Sequence, residues 1–143
     1  MIIRKAKSSD LEYVAEIYKK AYSERPYLEK WNKGMLVKKL KEDSKTTEIY
    51  VADTDKRVVG FIMFSIYDWY NGKWAYIEDF AILKEYRGMG LGKSLMERVE
   101  TDCKNAHVKR ILLDVYKKAN AINLYTELGY KENGYVTMEK KLR

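Results

Sequence analysis

The sequence predicts an α/β (α+β) fold, a mixed and mainly antiparallel sheet of about seven strands flanked by four helices. Three observations lead there. Strand-like runs follow one another through the middle of the chain with only short turns between them, which requires antiparallel pairing before any parallel element. A glycine-rich stretch then opens a helix and is followed by a buried-looking strand. Apolar residues recur at helical spacing both near the N-terminus and after those glycines. With 143 residues, 46% of them hydrophobic and 13% aromatic, the chain is long and apolar enough for one core. Residues 1–143 are accordingly expected to form a single domain.

The elements follow in order. "MIIRKA" reads as a short strand. In "SSDLEYVAEIYKKAY", Leu11, Val14, Ala15, Tyr18, Ala21 and Tyr22 share a helix face, and Ser9 with Glu12 forms a capping box. Pro26 marks a loop over residues 23–30 before a second helix, whose expected face is Leu28, Trp31, Met35 and Leu40. "TEIYVAD", "RVVGFIMFSIYD" and "WAYIEDFAIL" are three successive strands joined by turns at "TDK" and "YNGK". The helix after the glycines buries Leu91, Leu95, Val99 and Cys103, each four residues after the last. "KRILLDVY" is a further strand, "NAINLYTEL" a short helix ended by Gly129, and "YKENGYVTMEKKL" a final hairpin turning at Asn133-Gly134.

Lys and Arg number 28 against 21 Asp and Glu, a net charge of +7 that favours an anionic ligand. The basic residues are interspersed with acids rather than gathered into a stripe, which argues against nucleic acid as the main partner. "MIIRKAKSSD" is polar within four residues and the chain has no long apolar run, so a membrane partner is not expected and a cytoplasmic location is. One cysteine and one histidine are too few for an internal disulfide or a structural zinc site, and no metal is expected. Cys103 reads as a small apolar core residue near a helix end.

The stretch "EYRGMGLGKS" invites a phosphate-binding reading, because glycines at a helix start let an anion approach unpaired N–H groups at the positive end of the dipole. It is not a nucleotide P-loop: Gly88 and Gly92 are separated by three residues instead of four, and Arg87 stands where the first glycine belongs. "RILLD", ending at Asp114, looks like a magnesium-holding strand, but three antiparallel strands precede the loop, unlike the parallel sheet of P-loop proteins. A dinucleotide fingerprint fails as well, with Lys93 in the third glycine's place.

"AILKEYRGMGLGKSLMERV" together with "ANAINLYTELGYKE" resembles the GNAT superfamily of acyl-CoA N-acyltransferases, through Arg87, Gly90 and Gly92 and through the later Leu-Tyr and Leu-Gly-Tyr. The resemblance implies a sheet splayed to admit acetyl-CoA. The backbone of Arg87, Gly88, Met89, Gly90, Leu91, Gly92 and Lys93 would hold the pyrophosphate, and Phe80, Ala81 and Ile82 would pair with the pantetheine arm. Where the family usually has asparagine this chain has Lys118, with Asn120 and Asn123 as nearby substitutes. Tyr125 aligns with the family's acid, which protonates the departing thiolate.

The implied reaction is acetyl transfer to a primary amine by direct attack in a ternary complex, and it requires a neutral nitrogen. Glu78 and Asp79 are adjacent, so on a regular strand they point to opposite faces, and Glu78 is taken as the base or amine-orienting carboxylate. "YDWYNGKWAYIEDFAILKEYRGMGLG" resembles diamine and polyamine N-acetyltransferases most closely, which implies that Asp68, Glu78 and Asp79 hold a polycationic acceptor. Trp69 and Tyr70 depart from that pattern. The alternative acceptor is a protein N-terminus or lysine, with Tyr27 and the segment near Tyr135 shaping a peptide groove. A non-catalytic acyl-CoA sensor would need the glycine loop but neither Tyr125 nor Glu78. Monomer and homodimer are both open at this level.

Overall fold

The computed structural model describes residues 1–142. Five strands, β1 (Ile2–Lys5), β2 (Glu48–Asp53), β3 (Val58–Trp69), β4 (Gly72–Ile82) and β5 (Val108–Leu113), form one sheet in the order β1-β2-β3-β4-β5. The first four are antiparallel to their neighbours and β5 runs parallel to β4. The helices are α1 (Leu11–Ser23), α2 (Lys33–Asp43), α3 (Leu91–Asn105) and α4 (Ala121–Glu127). The parallel β5 follows from its connection: α3 is a crossover that returns the chain to the end of the sheet where β4 began.

Alternation along β3 separates two helical layers. Phe61 stacks against Tyr18 of α1, ring centroids 6.2 Å apart. Phe64, three positions on and so facing the other way, stacks at 6.0 Å on Tyr50, whose ring lies under Arg98 of α3. The α3 face is the one read from the sequence: Leu91, Leu95, Val99 and Cys103 are all buried, with Met96 beside them. The thiol of Cys103 is pushed up to about 11 by burial, as befits a packed residue.

Three local expectations are corrected. Residues 131–142 form no strand, so the sheet has five strands among the described residues instead of seven; Gly134 does adopt a positive φ of 88° and Asn133 accepts the Tyr135 N–H, but the arms of that turn pair with nothing. The second helix starts only at Lys33, capped by Asn32, whose side chain accepts from the Met35 N–H. It buries Leu36 and Leu40, while Leu28 lies outside the helix and Met35 faces solvent. At α1 the helix boundary comes later than the Ser9 and Glu12 pair suggests: a 3-10 turn at Ser8–Asp10 intervenes, and Asp10 accepts the Lys7 N–H at 2.7 Å.

Asp10 is also the only buried charged residue among those described. Arg4 of β1 donates to both its carboxylate oxygens, at 2.7 and 3.1 Å, and to Asp53 of β2 at 3.0 Å. This arrangement ties the edge strand to the helix entrance, and the Arg4 hydrogen bonds hold the Asp10 carboxyl below its ordinary range. Arg4→Met would leave Asp10 buried beside Asp53 without its counter-charge. It should lower stability by about 3 kcal/mol at neutral pH. The loss should shrink as the pH falls through about 4 and Asp10 protonates, since a depressed carboxyl stabilises only while ionised; urea denaturation at pH 7 and pH 3.5 measures both values.

Candidate active site

β4 and β5 stay paired only from Lys73–Val108 to Ile77–Leu113. Beyond that point β4 continues to Ile82 against β3 alone, so its outer edge from Glu78 onward is open. At the fork the Tyr76 hydroxyl donates to Asp114, which gives that strand-end carboxylate a structural partner. The opening is a cleft of about 730 Å³ bounded by β4, the end of β5, the glycine loop, α4 and the loop after α1.

The glycines of the loop serve two distinct ends. Gly88 and Gly90 have φ of 76° and 81°, a region that side-chain-bearing residues rarely adopt, and a Cβ on either would meet nothing within 4 Å. These backbones therefore face open space. Gly92, inside the first turn of α3, answers to packing: a Cβ there would sit 3.1 Å from Phe80 Cζ and 3.3 Å from Leu124 Cδ2. Phe80 is where β4, α3 and α4 meet, with its ring 6.3 Å from that of Tyr125.

Arg87 fixes the loop from outside. Its Nε donates to the Ile82 carbonyl at 2.9 Å, and its terminal nitrogens reach both carboxylate oxygens of Glu24 at 3.1 and 3.3 Å. Its side chain thus joins the end of β4 to the residue that ends α1, and its charge is already matched by Glu24. Lys93, in the first turn of α3, and Lys118, between β5 and α4, also line the cleft.

The two adjacent carboxylates do not alternate. β3 and β4 are in register at Met63–Asp79 and again at Phe64–Ile77, so Glu78 is the extra residue of a β-bulge. A bulge suspends the two-residue period. Glu78 accepts from Ser65 Oγ at 3.0 Å, while Asp79 lies opposite Met63, and Ser65 and Met63 share one face of β3. The expectation of opposite faces is therefore corrected: both carboxylates line the same cleft. Glu78 is exposed, whereas Asp79 is partly buried among Tyr18 and Tyr22. Burial pushes the Asp79 carboxyl up to about 6, against the opposing pull of Lys39 and of the Tyr18 and Tyr22 hydroxyls.

Tyr125 is buried on the far wall, and burial raises its hydroxyl to about 12. Of the residues expected at the site, the cleft is lined by Tyr27, Glu78, Asp79, Phe80, Ala81, Ile82, Arg87, Gly88, Gly90, Leu91, Gly92, Lys93, Asn120 and Tyr125. Three others are not among its lining residues. Asp68 sits at the tip of the β3–β4 hairpin, paired with Lys73 at 3.2 Å. Met89 is exposed, and Asn123 lies on the exposed side of α4. The sequence reading missed Tyr22, Glu24 and Tyr86, which also line the cleft. Tyr22 carried a signal as the last apolar member of the α1 face and Tyr86 as part of the stretch resembling polyamine N-acetyltransferases, while Glu24 carried none.

Comparison with known proteins agrees with this geometry. The profile of the acetyltransferase (GNAT) family matches residues 11–130. An N-acetyltransferase of Methanocaldococcus jannaschii is 36% identical over 134 residues, covering 92% of this chain and 79% of the relative. An N-alpha-acetyltransferase of Sulfurisphaera tokodaii is 30% identical over 141 residues, 91% of this chain and 80% of the relative. The human spermidine/spermine N(1)-acetyltransferase-like protein 1 is 35% identical over 80 residues, 52% of this chain and 11% of the relative. A solved structure described as a possible acetyltransferase from Clostridium difficile 630 superposes with a TM-score of 0.83 at 24% identity, covering 99% of this chain and 97% of that one.

A carboxyl raised on folding weakens the folded state once it ionises, so Asp79 costs stability progressively between about pH 4 and pH 6 and above. Asp79→Asn should therefore raise the thermal midpoint at pH 7.5 by several degrees, consistent with about 2 kcal/mol released, and change it little at pH 4. Scanning calorimetry at the two pH values checks the sign.

Proposed function

The chain belongs to the GNAT family of acetyltransferases, and from that premise we propose that it moves an acetyl group from acetyl-CoA to a primary amine held against Glu78 and Asp79. Members of this family take acetyl-CoA as the donor. The single observation that carries the reading is that one cleft contains an open strand edge, an open glycine loop, a buried phenol and two carboxylates.

Each part has a physical role. The loop's Gly88 and Gly90 backbone and the unpaired N–H groups of the first turn of α3 suit a pyrophosphate, with Lys93 and Lys118 adding positive charge. On the open edge of β4, Phe80 and Ile82 turn backbone groups away from β3 and can accept an extended amide-bearing arm as an added strand, with Ala81 bonded to β3 between them and the Ile82 carbonyl held by Arg87. Transfer forms an N–C bond and breaks a C–S bond; one proton leaves nitrogen and one is required at sulfur. A phenol at about 12 stays protonated at neutral pH, so Tyr125 can donate to the charge developing on sulfur. Glu78, held by Ser65, orients the amine, and Asp79, at about 6, accepts its proton directly or through water.

The acceptor follows from the strength of that base. A polypeptide α-amine ionises near about 8 and is partly neutral already at pH 7.5, whereas an alkylamine near about 10.4 is not. A carboxylate at about 6 suits the former. The N-alpha-acetyltransferase similarity spans 91% of the chain and supports the same choice, so we put a polypeptide N-terminus first. The second reading, a diamine or polyamine, rests on the Glu78 and Asp79 pair; Asp68, at the hairpin tip, does not join it.

Acetyl-CoA should raise the thermal midpoint and Mg-ATP should not; the reverse would refute the family's donor for this cleft. Thiol release should be fastest with peptides bearing a free N-terminus, slower with spermidine, and should rise with pH through about 6 as Asp79 ionises. Preference for spermidine would select the second reading, and no release from any amine would leave only donor binding. Tyr125→Phe should lower kcat by about 10²-fold with donor affinity little changed, as single-turnover assays and isothermal titration would show.

A further inference from the structure

The face of the sheet that packs on α1 runs on past that helix as a strip of aromatic rings. Alternation along β3 carries Phe61, Met63 and Ser65 on to Tyr67 and Trp69, all on one face. β4 answers in register, with Tyr76 opposite Ser65 and Trp74 opposite Tyr67, and β5 places Arg110 beside Trp74. The side chains meet accordingly. Trp69 stacks on Trp74 at 5.0 Å, Tyr67 meets Trp69 edge-on at 6.4 Å, and the Arg110 guanidinium lies 5.1 Å over the Trp74 ring. Tyr67 and Trp69 are 36% and 49% exposed, and the Trp74 indole N–H is buried without a partner. Contiguous exposed aromatic surface marks a binding site, and the unpartnered N–H adds a cost that an arriving carbonyl would remove. The strip begins at the cleft: Ser65 donates to Glu78, Tyr76 donates to Asp114, and both carboxylates line the cleft wall.

We propose, on the premise that acetyl transfer takes place at Glu78 and Asp79, that a polypeptide acceptor lies along this strip and that Tyr67, Trp69 and Trp74 select apolar side chains beyond its terminal amine. The lengths agree. Each step from Ser65 to Tyr67 and on to Trp69 advances about 7 Å, as two residues of an extended acceptor do. An acceptor whose first residue is anchored beside Ser65 therefore sets its third residue near Tyr67 and its fifth near Trp69, both side chains facing the rings. Such side chains lose water against aromatic faces. A polyamine laid along the same path would bring its cations up to Arg110, and like charges repel. The strip thus fits a polypeptide and disfavours a polycation.

Two pentapeptides with the same free N-terminal pair, one continued with leucine and phenylalanine and the other with glycine and serine, test this. Thiol release from acetyl-CoA should show a KM about tenfold lower for the apolar peptide at similar kcat, and Trp69→Ala should remove most of that difference. Binding is read without turnover from the indole N–H resonances of Trp69 and Trp74 in the full chain with CoA added. Both should shift with the apolar peptide and stay in place with the other. Equal KM values with unmoved indole signals would overturn the strip and leave acetyl transfer standing. Shifted signals without thiol release would support the strip as a polypeptide site and overturn the transfer. Spermidine shifting both signals as the apolar peptide does would overturn the selection of a polypeptide.

Discussion

The parting of β4 from β5 after Ile77 and Leu113 is the constraint on which the rest of the molecule depends. An interior parallel strand normally has both edges paired, and an unpaired buried edge leaves backbone polar groups without partners. Here the fork leaves those groups facing a cleft. The same divergence makes room for the first turn of α3 and for α4, which both close on Phe80. Had the two strands stayed in register to Ile82, Tyr125, the glycine loop and the paired carboxylates would have no common space.

Two devices hold the fork in shape. The Tyr76 to Asp114 hydrogen bond closes the paired side just where pairing ends. Arg87 acts on the other side, linking the Ile82 carbonyl to Glu24 at the end of α1. A planar guanidinium is suited to this task because its donors reach a carbonyl and a carboxylate in fixed directions. The side chain most readily read as an anion ligand is thus employed in positioning the loop, and the backbone of that loop is what remains open.

The bulge at Glu78 has a comparable reach. One inserted residue brings two carboxylates onto the face covered by α1, where they experience different surroundings. Glu78 remains solvated beside Ser65, while Asp79 is pushed towards neutral pH by burial among aromatic rings. Chemically similar neighbours become a charged anchor and a proton acceptor through their environment alone.

Much of this was legible in the chain. The period of four in Leu91, Leu95, Val99 and Cys103 determined α3 and its buried face, and the short turns at "TDK" and "YNGK" determined three antiparallel strands. Gly88, Gly90 and Gly92 announced the loop because glycines at a helix start answer to local conformation, whereas Tyr125 was singled out through the resemblance carried by "LYTELGY". Four matters required the tertiary structure: the bulge that puts Glu78 beside Asp79, the Arg87 to Glu24 link across the chain, the removal of Asp68 to a hairpin tip, and the unpaired segment after Tyr130. Periodicity is a relation between residues two to four apart and can be read in one dimension. Register and edge pairing depend on a partner strand distant in sequence, and only the folded chain decides which partner that is.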